Sequence, residues 1–338
     1  MILIVIISLI SSVLLTGLIR RYAIKKSLID IPNERSSHSI PVPRGGGLSI
    51  VLISLLAIIV TGSLDWLEYE QYIALLGGGC LVALIGWLDD HKDISALIRA
   101  MVHLAAASWT VFWLGGLSSL DLGLMTVHLG FFGSLLAVIA IVWMINLYNF
   151  MDGTDGLATV QALTAGSFAA FIFLSAGATG IGSILLAMLG AAAGFLVWNW
   201  PPAKIFMGDV GSSYLGYLFA ALAMLGEQSG VMPLLVWFIL LALFFWDTTL
   251  TLIYRFRKGE KWYAAHCSHA YQRFVQLGNS HKKLALIFLV INITIFWPLA
   301  WFTMRYNSLL LPIVIAVGIL SAGLWLAIRR KYNKYHSS

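Results

Sequence analysis

Charge is what this sequence lacks. Only 11% of its 338 residues are Asp, Glu, Lys or Arg, less than half of the about 25% usual in soluble globular domains. Hydrophobic residues make up 60% and the mean hydropathy is +0.89. Those values exclude a soluble domain and a disordered chain alike, and leave a polytopic membrane protein. Cysteine is scarce too. Cys80 lies in an apolar run and Cys267 in a polar stretch, depths too different for the close approach that a disulfide needs, so no disulfide framework is expected. The first residues, MILIVIISLISSVLLTGLIRR, have no basic segment ahead of the apolar run and no small-residue cleavage site. A retained first span is expected there rather than a cleaved signal. The sequence carries no separate soluble domain and no internal repeat, so residues 1–338 read as one membrane-embedded domain. Its partners are expected to be lipids and small molecules, with no nucleic acid among them.

What is present in abundance is apolar runs. A spanning helix needs roughly 20 apolar residues. On that ruler candidate spans fall near 2–19, 46–62, 71–88, 96–115, 129–148, 157–176, 180–198, 211–226, 231–254, 284–303 and 308–328. The fold class is therefore all-α, with about eleven transmembrane helices. Every one of the 21 Lys and Arg except Arg305 lies in segments 20–44, 89–99, 199–209, 255–283 and 329–338. The alternate loops carry Asp65, Glu68, Glu70, Asp121 and Glu227 instead. The positive-inside rule then predicts a periplasmic N-terminus and a cytoplasmic C-terminus, a parity that eleven spans satisfy. Trp66, Tyr69, Tyr72, Trp198 and Trp200 fall near span ends, where amphipathic rings form an interfacial belt.

On the predicted cytoplasmic side the acids are few and clustered. Asp89, Asp90 and Asp93 end the third span in GWLDDHKDIS, Asp152 and Asp155 follow the fifth in NLYNFMDGTDGLA, and Asp209 precedes the eighth in KIFMGDVGSSYLG. Carboxylates crowded together repel unless a cation joins them, and magnesium takes one or two carboxylates plus water and substrate phosphate. Asp89 and Asp93 are four apart and are expected to share a helix face. Asn146, Asn149, Asp152 and Asp155 recur every three residues, which no single helix face can present. With Gly153 and Gly156 behind them, the fifth span is expected to end near Asn149 and a glycine-bearing loop to offer the two aspartates. Asn146 serves either that site or packing inside the bundle.

Basic groups sit on the same side. The first such loop offers Arg35, His38 and Arg44 beside three consecutive glycines, a combination of forked donors and approachable backbone suited to phosphate. A later loop carries His266, His269 and Arg273. Two histidines without a third metal-spaced ligand favour hydrogen bonding to substrate over metal binding. His103, within the fourth span, reads as a satisfied core histidine. Asp247 lies inside the ninth span in LALFFWDTTLTLIYR, where an acid costs about 2.5–3.5 kcal/mol at mid-helix. It is either functional or bonded to a neighbouring helix.

Taken in order, PVPRGGG, the DD of GWLDD, NLYNFMDGTDGLA, WNWPPAKIFMGDVGSS and the His-containing late loop resemble the polyprenyl-phosphate N-acetylhexosamine-1-phosphate transferases over nearly the whole chain. The late run HCSHAYQR and the loop RSSHSIPVPRGGG are closer to the Gram-negative branch that starts O-antigen or similar surface glycans than to the peptidoglycan branch. The resemblance implies a bacterial inner-membrane enzyme whose cytoplasmic face transfers a sugar 1-phosphate from a UDP-N-acetylhexosamine to undecaprenyl phosphate, releasing UMP. By the same resemblance Asp89 and Asp90 are catalytic, and Asp209 with Asp90 holds Mg2+, Mn2+ being an alternative. Asn149, Asp152, Asp155, Asn199 and Phe206 line the nucleotide pocket, with Phe206 stacked on uracil. His266, His269 and Arg273 meet the sugar or its diphosphate, and a homodimer is implied.

Phosphoryl transfer is mainly alignment and charge neutralisation. A lipid phosphate with a second pKa near 6 is largely a dianion at pH 7, which favours its direct attack on the β-phosphorus over a covalent route through Asp89. Two rivals fit less well. An intramembrane prenyltransferase calls for two comparable aspartate-rich motifs, and a transporter for sites near the bilayer midplane, where Asp247 alone stands.

Overall fold

The structure, a computed structural model, describes residues 1–32, 40–260 and 266–337. Every stretch singled out by hydropathy is helical, though 231–254 and 284–303 each hold two helices, and helices make up most of the structure. They are α1 (Ile2–Lys25), α2 (Leu48–Ser63), α3 (Tyr69–His91), α4 (Ala96–Leu114), α5 (Gly130–Phe150), α6 (Leu157–Ser175), α7 (Thr179–Asn199), α8 (Asp209–Gln228), α9 (Leu234–Leu240), α10 (Ala242–Arg257), α11 (Ala270–Gln276), α12 (His281–Ile291), α13 (Trp297–Arg305) and α14 (Leu310–Ser337). One π-helical turn, Asn292–Phe296, joins α12 to α13. Strand is confined to two short antiparallel pairs. β1 (Ile29–Asp30) pairs with β2 (Val42–Pro43), and β3 (Ser119–Asp121) with β4 (Thr126–His128).

Among the described residues eight helices are long and apolar enough to cross a membrane, or nine when a bent pair counts as one span. The chain is thus a polytopic membrane protein. The bent pair is α9 and α10, which meet at 84°. Stretch 231–254, which hydropathy reads as one continuous span, is therefore broken at Leu241. The carbonyl of Leu240, at the break, accepts a hydrogen bond from Gln161 Nε2 at 2.8 Å. Gln161 Oε1 in turn accepts from Asn292 Nδ2 at 3.0 Å, so a buried polar pair satisfies the backbone that the bend exposes.

Small residues set how closely the helices approach. On α7, a Cβ at Gly190 would lie 2.5 Å from the Val5 carbonyl oxygen, and one at Gly194 would lie 2.4 Å from that of Leu9. Lipid tails are as apolar as side chains, so such backbone-to-backbone packing is a main source of helix association in a membrane. The same device brings the future site together. A Cβ at Gly47 would meet Gly211 Cα at 2.6 Å, and one at Gly86 the Asp209 carbonyl oxygen at 2.6 Å. The starts of α2 and α8 and the end of α3 are thereby held in backbone contact. Residues Val210 to Gly226 of α8 are buried throughout, which makes α8 the central post of the bundle.

Candidate active site

Asp90 anchors the site. It is the last buried residue of α3, 3% exposed. Its Oδ1 accepts from the Asp209 N–H at 3.0 Å and its Oδ2 from the Val210 N–H at 3.2 Å. These are the first amides of α8, otherwise without acceptors, and a carboxylate there is also favoured by the helix dipole. A side chain on Gly208 would overlap this carboxylate, with its Cβ 2.5 Å from Oδ2, and Gly208 has φ +77. Glycine is required on both counts.

Asp89, its neighbour, faces elsewhere. Its Oδ1 accepts from Ile94 N–H at 2.9 Å and its Oδ2 from Arg99 Nη1 at 2.7 Å. The same Nη1 lies 3.0 Å from Asp209 Oδ2. Arg99, in the first turns of α4, thus bridges carboxylates from α3 and α8. The expectation that Asp89 and Asp93 share a helix face is corrected here. α3 ends at His91, Lys92 is extended at φ −144 and ψ 131, and Asp93 is exposed beyond it. The turn that Asp89 makes with Ile94 replaces the helix.

The glycine loop closes over this corner. Gly46 and Gly47 N–H donate to the carbonyls of Phe206 and Met207 at 2.9 and 2.8 Å, and Phe206 N–H donates to Pro43 at 2.8 Å. Arg44 Nε donates to the Asp90 carbonyl at 3.1 Å. Arg44, Asp90 and His91 form the polar end of a cavity of about 340 Å³ whose other walls include Leu18, Ile19, Leu48 and Trp87. Arg35 and His38, expected to join Arg44, lie outside the described residues.

α5 ends at Phe150, as its asparagine and glycine pattern predicts, and Gly156 supplies the left-handed turn at φ +74. Asn149 Nδ2 donates to Ser212 Oγ at 3.1 Å, in the first turn of α8. Asp152 is part-exposed in the loop. Desolvation first, then the nearby charges of Asp209, Asp90 and Asp155, push its carboxyl well above the usual range. Asp155 Oδ2 accepts from Ala203 N–H at 3.0 Å and stands 3.3 Å from His281 Nδ1. Asn199 is buried, its Oδ1 accepting from Gly156 N–H at 3.0 Å and its Nδ2 donating to the Ile205 carbonyl at 3.1 Å. It ties the Gly156 turn to the segment at Ile205. Asn146 Nδ2 donates to the Val142 carbonyl of its own helix at 2.7 Å.

Asp247 has a partner after all. Its Oδ1 accepts from Ala270 N–H at 2.8 Å and from Thr251 Oγ1 at 3.1 Å, and its Oδ2 from Tyr271 N–H at 2.9 Å. A buried acid in α10 thus caps α11, and Tyr271 Oη ties α11 to the Phe150 carbonyl at 2.9 Å. His269 is buried at the start of α11, its ring against Phe150. His266 is half-buried, and burial, then His269 and Arg255, lower its pKa to about 3, so the imidazole is neutral. Arg273 packs on the ring of Tyr332 at 4.8 Å. No disulfide joins Cys80 and Cys267. His103 is buried, but its Nδ1 has no hydrogen-bond partner among the described residues, so it is a core histidine without the satisfied ring that was expected.

The sequence-selected acids Asp89, Asp90, Asp152, Asp155 and Asp209 therefore meet at one end of the bundle, with Arg44, Asn149 and Phe206. His269, Arg273 and Asp247 belong to an adjoining arm. Arg99 and His281 escape sequence reading because a basic residue near a helix end on that side is what topology alone predicts.

An acidic, arginine-bridged site at one end of a polytopic helical bundle defines the class of this protein. Residues 72–227 match the family model described as Glycosyl transferase family 4. A Bacillus subtilis protein named as a probable undecaprenyl-phosphate N-acetylglucosaminyl 1-phosphate transferase is 31% identical over 291 residues, covering 85% of this chain and 80% of the relative. The decaprenyl-phosphate N-acetylglucosaminephosphotransferase of Mycobacterium tuberculosis is 29% identical, covering 80% of this chain and 75% of its own. The undecaprenyl-phosphate alpha-N-acetylglucosaminyl 1-phosphate transferase of Yersinia pestis is 28% identical, covering 78% and 74%. The chain belongs to glycosyl transferase family 4.

Proposed function

We propose that this protein transfers an N-acetylhexosamine 1-phosphate from a UDP-N-acetylhexosamine to undecaprenyl phosphate and releases UMP. The observation that carries the reading is the meeting of Asp89 and Asp209 on one nitrogen of Arg99, in a chain whose relatives are named for that transfer. An oxygen of the lipid phosphate forms a bond to the β-phosphorus, and the bond from that phosphorus to the bridging oxygen of UMP breaks. The acceptor is already a dianion near pH 7, so no protein base is needed. Arg44, at the polar end of an apolar-walled cavity beside Asp90, suits the phosphate of an amphiphile. By the resemblance of their motifs, Asn149, Asp152, Asp155 and Phe206, at the same end of the bundle, are left for the nucleotide.

The donor set fits a hard cation: carboxylate oxygens of Asp89 and Asp209 converge, whereas Asp90, the ligand expected beside Asp209, has both oxygens on the Asp209 and Val210 amides and holds Asp209 from behind. Magnesium needs only one or two such ligands besides water and phosphate, and when bound it would neutralise charge on the diphosphate. The distribution of Lys and Arg supports an N-terminus outside, a C-terminus in the cytoplasm and the site on the cytoplasmic face of the inner membrane. In a Cys80→Ser chain, Cys267 is accordingly expected to resist an impermeant maleimide in intact cells and to react once the membrane is opened. Labelling in intact cells would overturn that orientation. The late-loop resemblance supports a product that begins an O-antigen or related surface glycan.

The direct test is UMP release by purified protein with undecaprenyl phosphate, Mg2+ and a panel of UDP-N-acetylhexosamines. Lipid-dependent UMP is expected from one donor and is expected to vanish in Asp209→Asn. Folded protein that yields no UMP from any donor would reinstate the transporter and prenyltransferase readings.

A further inference from the structure

Arg99 holds a place that its own helix does not favour. It stands near the N-terminus of α4, four residues after the N-cap Ser95, where the helix dipole opposes a positive charge. What holds it is a pair of carboxylates: Nη1 is 2.7 Å from Asp89 Oδ2 and 3.0 Å from Asp209 Oδ2. Both aspartates have a hold apart from Arg99, Asp89 at its carboxylate through Ile94 N–H and Asp209 at its backbone through Asp90. The Arg99 side chain is 34% exposed, so it has room to leave. One nitrogen between two carboxylate oxygens from different helices stands where a divalent cation would sit, at shorter bonds of about 2.0–2.1 Å for magnesium.

We propose that Arg99 is a built-in counter-cation. It neutralises Asp89 and Asp209 while no metal is bound, yields that place to a divalent cation, and turns its forked donors to the diphosphate that arrives with the metal. This rests on the cation-dependent reading above and adds to it a competition and a coupling. Without nucleotide, Arg99 opposes cation binding. With a diphosphate present, the displaced guanidinium gains a new partner, so cation and nucleotide bind cooperatively.

The test reads metal binding and not turnover. Free Mn2+ is measured by electron paramagnetic resonance against purified protein, with and without UDP. Arg99→Gln is expected to bind Mn2+ about tenfold more tightly than the unaltered chain in the absence of UDP, a difference of about 1.4 kcal/mol, and to lose most of the tightening that UDP brings. Arg99→Lys, which keeps the charge, is expected to stay within about threefold of the unaltered chain. Adding Asp209→Asn to Arg99→Gln is expected to abolish the gain, which locates the ion. A merely structural bond would give the opposite sign, since loosened carboxylates bind a cation more weakly. Equal or weaker Mn2+ binding by Arg99→Gln overturns the counter-cation role and leaves the cation site standing. Failure of both chains to bind Mn2+ overturns the cation site itself, and the role falls with it.

Discussion

Asp90→Asn is expected to lower the melting temperature and to cut transfer by roughly 100-fold or more, the scale on which small misplacements of reacting groups act. The carboxylate accepts one backbone N–H on each oxygen, from Asp209 and Val210. An amide keeps one acceptor and turns its NH2 toward the other N–H, so a buried donor at the head of α8 is left facing a donor, at a cost of about 1–3 kcal/mol. The head of α8 carries Asp209, so the structural fault and the chemical fault share one cause. Asp89→Asn is the contrast. Its oxygens meet Arg99 and a loop amide, an amide there keeps an acceptor for Ile94 N–H, and the variant is expected to lose less melting temperature than Asp90→Asn while losing activity. Thermal unfolding in detergent beside UMP release separates the two. If Asp90→Asn melted and turned over like the unaltered protein, Asp90 would not be the anchor of α8.

The second large effect concerns the arm. Asp247→Ala strands the buried N–H groups of Ala270 and Tyr271 and the hydroxyl of Thr251, all of which now donate to that carboxylate. At about 1–3 kcal/mol for each stranded group, a helix of 7 residues cannot persist. Its loss releases Tyr271 from the Phe150 carbonyl and His269 from its place against Phe150. Hydrogen exchange of 270–276 is expected to rise to that of a loop, with transfer falling at least tenfold. Asp247→Asn retains one good acceptor and is expected to fall between. Equal loss of activity in both variants, with protection of 270–276 unchanged, would instead mark Asp247 as a charge that the reaction uses.

Hydropathy locates the helices because length and apolarity are all that a bilayer asks of a span. It misses the break at Leu241 because 231–254 is apolar on both sides and carries no glycine or proline there. The bend is made by Gln161 and Asn292, 79 and 131 residues from their partners Leu240 and Gln161. The acidic end was legible for a chemical reason: few acids occur on that side, and six of them crowd the ends of three spans. The partners of those acids were not. Nothing in the sequence says that Asp247 serves α11, or that Arg99 spans two other helices, since both pairings exist only once the helices pack. Asp93 misleads for a similar reason, since Asp89 bonds to Ile94 and ends the helix between them.

Because the described site is built from helix ends, its parts arrive in the membrane at different times. Asp90 enters long before Asp209, the residue whose amide it must cap, and Asp155 well before His281. Until α8 is in place the early carboxylates face only water at the bilayer surface, which costs them nothing. Asp247 has no such refuge, being seated within an apolar run ahead of the segment that supplies its donors. Closure of α11 onto α10 is therefore a late event in biogenesis, and a nascent chain halted before residue 270 would carry a carboxylate with no backbone to hold.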